Sequence, residues 1–62
     1  MKDDPEEIAT YLVKAHGLDG AFDKVTEGTA MAHQNGNFYD LSVWREVKTV
    51  LLEMQASQEV SP

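Results

Sequence analysis

The sequence predicts an all-α protein, in which three short helices form a small bundle that is completed by homo-oligomerisation. The first observation is spacing, because four apolar residues follow at intervals of three, four and three: Trp44, Val47, Leu51 and Met54. Such spacing places them on one face of a helix. The second observation is a series of helix-capping and turn residues, and the third is length. A chain of 62 residues buries only about 60% of its unfolded surface, so its core is thin.

The first helix is predicted over residues 5–16. Asp4 is a good N-cap, Pro5 suits the first helical position, and Glu7 completes a capping-box pattern. Gly17 is expected to end this helix in a left-handed cap, with Leu18 folding back onto Val13. The buried face is expected to consist of Ile8, Tyr11, Leu12 and Ala15.

The second helix is predicted over residues 20–34, with Asp19 as its N-cap and the Asn35-Gly36 pair as its end. It is the weakest of the three, because a glycine inside a helix costs about 1 kcal/mol relative to alanine. Its small residues nevertheless share one stripe, which would let another helix approach closely: Ala21, Val25, Gly28 and Ala32.

The third helix is predicted over residues 41–56, with Asp40 as N-cap and with Tyr39 and Trp44 as a hydrophobic staple. Its apolar arc is wider than two short helices could cover, which favours a second copy as partner. The predicted interface comprises Phe38, Tyr39, Val43, Trp44, Val47, Val50, Leu51 and Met54. Trp44 could be a core residue or a contact residue, since tryptophan is common in both settings.

Residues 1–62 are predicted to form a single domain, with flexible ends at 1–4 and 57–62. The formal charge of −6 disfavours direct binding to nucleic acid or to an anionic membrane. No apolar run has the length of a signal sequence or a membrane span. Without cysteine, structural disulfides are excluded. These properties predict a cytoplasmic protein.

Few residues suggest chemistry. His16 and His33 are expected near helix C-termini, where a partly charged imidazole is favourable. Their spacing matches no zinc motif, and the acids Asp3, Asp4, Glu6 and Glu7 crowd a helix start without forming a calcium loop. No nucleophile or phosphate-binding motif is present. We therefore expect no catalytic residue, no metal, no cofactor and no enzymatic activity.

The function that remains is interaction with proteins, and the expected partner is a second copy, giving a dimer. An alternative is an acidic inhibitor or regulator of a nucleic-acid-binding protein, which would imitate the charge of nucleic acid. That alternative requires the carboxylates to form one contiguous patch on the folded chain.

The order of several features gives a resemblance to a known class of proteins: His16-Gly17, a small-residue helix with Ala30 and Ala32, Gly36, and Trp44 followed by Val47 and Leu51. In this order the chain resembles short bacterial and phage-borne helical proteins of unassigned function. The resemblance implies a small helical fold and a bacterial source, and it implies no site residue.

Overall fold

The chain folds as a helical hairpin, and a computed structural model describes residues 4–59. Helix α1 spans Pro5–Gln34 and helix α2 spans Phe38–Glu59. The all-α prediction is confirmed, since the described residues contain no strand. The prediction of three helices is wrong, because the first two predicted helices form the single element α1. Of the flexible ends predicted at 1–4 and 57–62, residues 1–3 and 60–62 lie outside the described residues. Helix α2 continues three residues beyond its predicted end at 56.

Helix α1 begins where the sequence predicts. The Asp4 side chain accepts a hydrogen bond from the Glu6 backbone N–H at 3.0 Å, and the Asp4 carbonyl accepts one from the Ile8 N–H at 3.0 Å. Pro5 occupies the first turn, where a missing N–H costs no helical hydrogen bond. Asp4 is therefore the N-cap of α1.

Gly17 interrupts α1 without ending it. Its backbone has φ 76° and ψ 171°, which is not the left-handed helical conformation expected for a helix cap. This region of φ and ψ is accessible almost exclusively to glycine. The backbone resumes a helical course directly afterwards, so Asp19 lies inside α1 and is not an N-cap.

The interruption changes which side of α1 faces α2. On an uninterrupted helix, Leu12 and Val25 would point about 140° apart, because each residue turns the helix by about 100°. In the folded chain both are buried in one core. The break at Gly17 therefore rotates the first part of α1 so that both parts present their apolar residues to α2. Tyr11 and Ala15, expected on the buried face, are exposed as a result.

The turn between the helices is a Schellman motif centred on Gly36. The Asn37 N–H donates to the Ala32 carbonyl at 2.8 Å, and the Gly36 N–H donates to the His33 carbonyl at 3.1 Å. Gly36 has φ 67°, in the left-handed region. The predicted end of this helix at Asn35-Gly36 is confirmed.

Helix α2 begins three residues earlier than predicted, because Asn37 and not Asp40 is its N-cap. The Asn37 side-chain oxygen accepts from the Asp40 N–H at 3.1 Å, and the Asn37 amide donates to the Asp40 carboxylate at 3.0 Å. Asn37 therefore caps α2 by accepting from the Asp40 N–H, and the bond between the two side chains reinforces this cap. Tyr39 consequently lies inside the first turn, and the predicted staple with Trp44 is not at staple positions.

The core lies in one layer between the two helices. Its fully or almost fully buried residues are Ala9, Leu12, Ala21, Val25, Val47 and Leu51. Among residues 4–59, Leu51 and Val47 are the only large side chains with essentially no exposed surface. The molecule measures 43 × 22 × 18 Å, and its shortest dimension is less than two helix diameters of about 10–12 Å each.

Candidate interaction surfaces

Trp44 packs against α1 at Gly28, which is the only glycine in the small-residue stripe. A Cβ added to Gly28 would overlap Cε2 and Cζ2 of the indole and would lie 2.7 Å from Nε1. The absence of a side chain at Gly28 is therefore what allows the indole to lie against the α1 backbone. Ala21, Val25 and Ala32 on the same stripe are buried, so the predicted close approach of a helix to this stripe is confirmed.

The eight predicted interface residues fall into three groups. Val47 and Leu51 are fully buried by α1 of the same chain. Four others are half-buried and pack against the core, each with part of its surface open to solvent: Val43, Trp44, Val50 and Met54. Phe38 and Tyr39 are exposed, Phe38 by 76% and Tyr39 by 60%. The structure thus leaves six of the eight at least partly accessible to another molecule.

Three large apolar residues outside the predicted interface are also exposed. They are Tyr11, Met31 and Leu52. Leu52 lies four residues after Lys48 on α2, so helical spacing places both on the same side of the helix. This spacing indicates exposure of Leu52, but Leu52 also borders the wide apolar arc, which indicates burial. The exposure of Tyr11 follows from the rotation at Gly17, which no local pattern indicates.

The positions on α2 form three parallel rows, because residues three and four apart lie on the same side of a helix. The core row, which faces α1, contains Trp44, Val47, Leu51 and Met54. The front row lies on one side of it and contains Phe38, Leu41, Arg45, Lys48 and Leu52. The back row lies on the other side and contains Tyr39, Val43, Glu46, Val50 and Glu53.

A groove of about 760 Å³ runs along the front row, between α2 and the second part of α1. We call it the basic groove. Its lining consists of Val25, Thr26, Thr29, Ala30, His33, Gln34, Leu41, Trp44, Arg45 and Lys48. None of these residues is acidic, although the chain carries eleven Asp and Glu against five Lys and Arg. The groove thus combines an indole and a small-residue floor with three basic side chains.

A second depression, of about 440 Å³, lies beside the back row. We call it the acidic depression. It is lined by Asp4, Pro5, Glu6, Glu46, Thr49, Val50 and Glu53, so its only ionisable residues are carboxylic acids. The two concave surfaces therefore carry opposite charge, and the core row of α2 separates them.

The residues considered for metal chemistry do not come together. Among residues 4–59, no group of three or more His, Asp or Glu side chains is placed to hold a metal ion. His16 is exposed beside the Gly17 break, whereas His33 lines the basic groove in the last turn of α1. Neither helix has, within the described residues, a stretch long and apolar enough to cross a membrane.

Comparison with protein-family models, with curated proteins and with solved structures gives no significant match. The resemblance to short bacterial and phage-borne helical proteins therefore stays a prediction.

Proposed function

We propose that this chain is a non-enzymatic interaction protein that acts through protein–protein contacts and associates first with copies of itself. The observation that carries the proposal is the combination of a single-layer core with large apolar side chains on the outside of the hairpin. Phe38, Tyr39 and Leu52 are all exposed on α2, and Tyr11 and Met31 are exposed on α1. Where exposed apolar side chains are contiguous they mark interaction sites, so these five residues are the positions at which we propose contacts.

Stability gives a second argument for association. Helices gain most of their stability from packing of an apolar face, and chains of this length usually need a disulfide, a metal, oligomerisation or very regular packing. Cysteine is absent, and α1 is interrupted at Gly17. A second copy that covers the exposed apolar residues would add the packing that the hairpin lacks.

Sedimentation velocity over a range of concentrations tests the proposal. We expect the 6.9 kDa chain to form larger species at high micromolar concentration. The double variant Phe38→Ser/Leu52→Ser should shift the equilibrium towards the single chain, because both side chains are exposed and contribute little to the core. A matched control is Thr10→Ser/Gln58→Ser, which changes two exposed polar residues. A wild-type chain that sediments at 6.9 kDa at every concentration would refute the proposal.

The alternative function is inhibition of a nucleic-acid-binding protein by an acidic surface. One observation favours it: the fold brings Asp4 and Glu6 of α1 to the same depression as Glu46 and Glu53 of α2. Binding to a panel of purified DNA-binding proteins, with duplex DNA as competitor, tests this function. We expect binding that DNA displaces and that Glu46→Lys/Glu53→Lys abolishes. Binding to none of the panel would argue against it.

A further inference from the structure

We infer that copies of this chain dock front to back, with the back row of α2 from one copy seated in the basic groove of the next. This inference rests on the proposed self-association and specifies the surfaces that it uses. Its first support is charge. The basic groove contains no acid, whereas the acidic depression and the back row contain no base.

The second support is the state of these charges in the single chain. Among residues 4–59, the side chains of Arg45 and Lys48 form no ion pair, and neither do those of Glu46 and Glu53. All four side chains are exposed. They are therefore free to pair across a contact between copies, where complementary charge fixes register and suppresses wrong partners.

The third support is the apolar content of the two surfaces. The back row places Val50 between Glu46 and Glu53, and Val43 one turn before Glu46; both valines are half-buried. The basic groove offers Leu41 and Trp44, over a floor that includes Ala30. An amphipathic helix with an apolar stripe and acidic flanks is the ligand that such a groove fits, and the back row of α2 has this composition. A helix seated there would complete a three-helix layer around the indole.

The contact is heterologous, because the two surfaces lie on opposite sides of the hairpin. A heterologous contact repeats from copy to copy until it closes into a ring or extends as a chain. We therefore expect a series of species beyond the dimer as concentration rises. Trp44 is the only tryptophan and lines the groove, so its fluorescence emission should shift to the blue with each contact formed.

A charge-reversal pair tests the docking directly. Arg45→Glu/Lys48→Glu makes both surfaces acidic, and Glu46→Lys/Glu53→Lys makes both surfaces basic. Each variant alone should associate roughly tenfold or more weakly than the wild type, because like charges would face each other. An equimolar mixture should regain association and the blue shift, since an acidic back row would again meet a basic groove. Circular dichroism verifies that each variant remains helical.

Net charge needs a matched control. Arg45→Glu/Lys48→Glu lowers the net charge from −6 to −10, because each reversal changes it by −2. Lys14→Glu/Lys24→Glu reaches the same −10 from exposed positions outside the groove and both rows, and we expect it to associate like the wild type. The inference is overturned if the charge-reversal variants associate normally, or if their mixture does not recover association. In either case self-association of the wild type would still stand.

Discussion

At the scale of single residues, the pairing of Gly28 with Trp44 has the clearest energetic consequence. The indole occupies the space that a side chain at position 28 would need. Alanine at this position would favour the helix by about 1 kcal/mol. Overpacking of a well-packed contact costs about 1–3 kcal/mol. The cost of overpacking is the larger of the two, so glycine suits position 28 even though helix propensity alone disfavours it there.

We therefore predict that Gly28→Ala destabilises the hairpin by up to about 2 kcal/mol, which is the difference between the two effects. In a Trp44→Phe background the same change should cost less or stabilise, because phenylalanine has one ring and lacks both the indole nitrogen Nε1 and the fused second ring that carries Cζ2. Urea denaturation followed by circular dichroism measures the four free energies of unfolding. Equal effects of Gly28→Ala in both backgrounds would show that the indole does not occupy this space.

At the start of α2, residue preferences alone leave the position of the N-cap ambiguous. Asn37 and Asp40 are both favourable N-cap residues and lie three positions apart. Local preference cannot choose between them, because both side chains are able to accept from backbone N–H groups that follow them. In the structure Asn37 is the cap, and its side-chain amide also donates to the Asp40 carboxylate. At Asp4, by contrast, the following proline leaves one choice, and the sequence predicts that cap correctly.

At the scale of elements, Gly17 determines how α1 is used. Sequence periodicity predicted two helices here and placed Tyr11 on the buried face. Periodicity gives the apolar face of each segment separately and does not give the rotation of one segment relative to the other. The relative rotation of the two segments depends on their common contact with α2, which lies more than twenty residues away along the chain. Information of that kind is absent from local spacing, so the start of α1 at Asp4 and its end at Asn35-Gly36 were predictable and the kinked element was not.

The two glycines with positive φ, Gly17 and Gly36, should respond differently to substitution. Gly17 combines φ 76° with ψ 171°, a pair of angles that residues with a side chain avoid, so both Gly17→Ala and Gly17→Asn should cost about 1–3 kcal/mol. Gly36 occupies the Schellman position, where asparagine is an accepted substitute. Gly36→Asn should therefore cost less than Gly17→Asn. Thermal melts of the variants measure the order, and a stabilised Gly17→Ala would mean that the chain prefers an uninterrupted helix.

At the scale of the whole molecule, the thin hairpin divides its leucines between inside and outside. Leu51 is fully buried, whereas its neighbour Leu52 is 47% exposed on the front row. Periodicity predicted correctly that Leu51 belongs to the central stripe of the last helix. A contact between copies involves the surfaces of two molecules, whereas periodicity describes the faces of one. The predicted interface therefore stays a proposal.

This neighbouring pair separates core stability from association. Leu51→Ala should cost about 2–5 kcal/mol at any protein concentration, because it removes a fully buried side chain. Leu52→Ala should leave the melting temperature of a dilute sample nearly unchanged and reduce the rise that association produces in a concentrated one. Melting curves at both concentrations provide the comparison. A concentration-independent effect of Leu52→Ala would place Leu52 in the core and not at a contact.

The rotation of the first part of α1 at Gly17 also limits the insertions and deletions that this chain can accept. One residue inserted or deleted between Leu12 and Val25 would swing every earlier side chain by about 100°, which would take Ile8 and Ala9 out of register with α2. Loops commonly accommodate such changes, but this stretch has no loop in which to absorb them. Substitutions are tolerated most readily at the exposed positions of this stretch, whereas the number of residues between Leu12 and Val25 has to be kept.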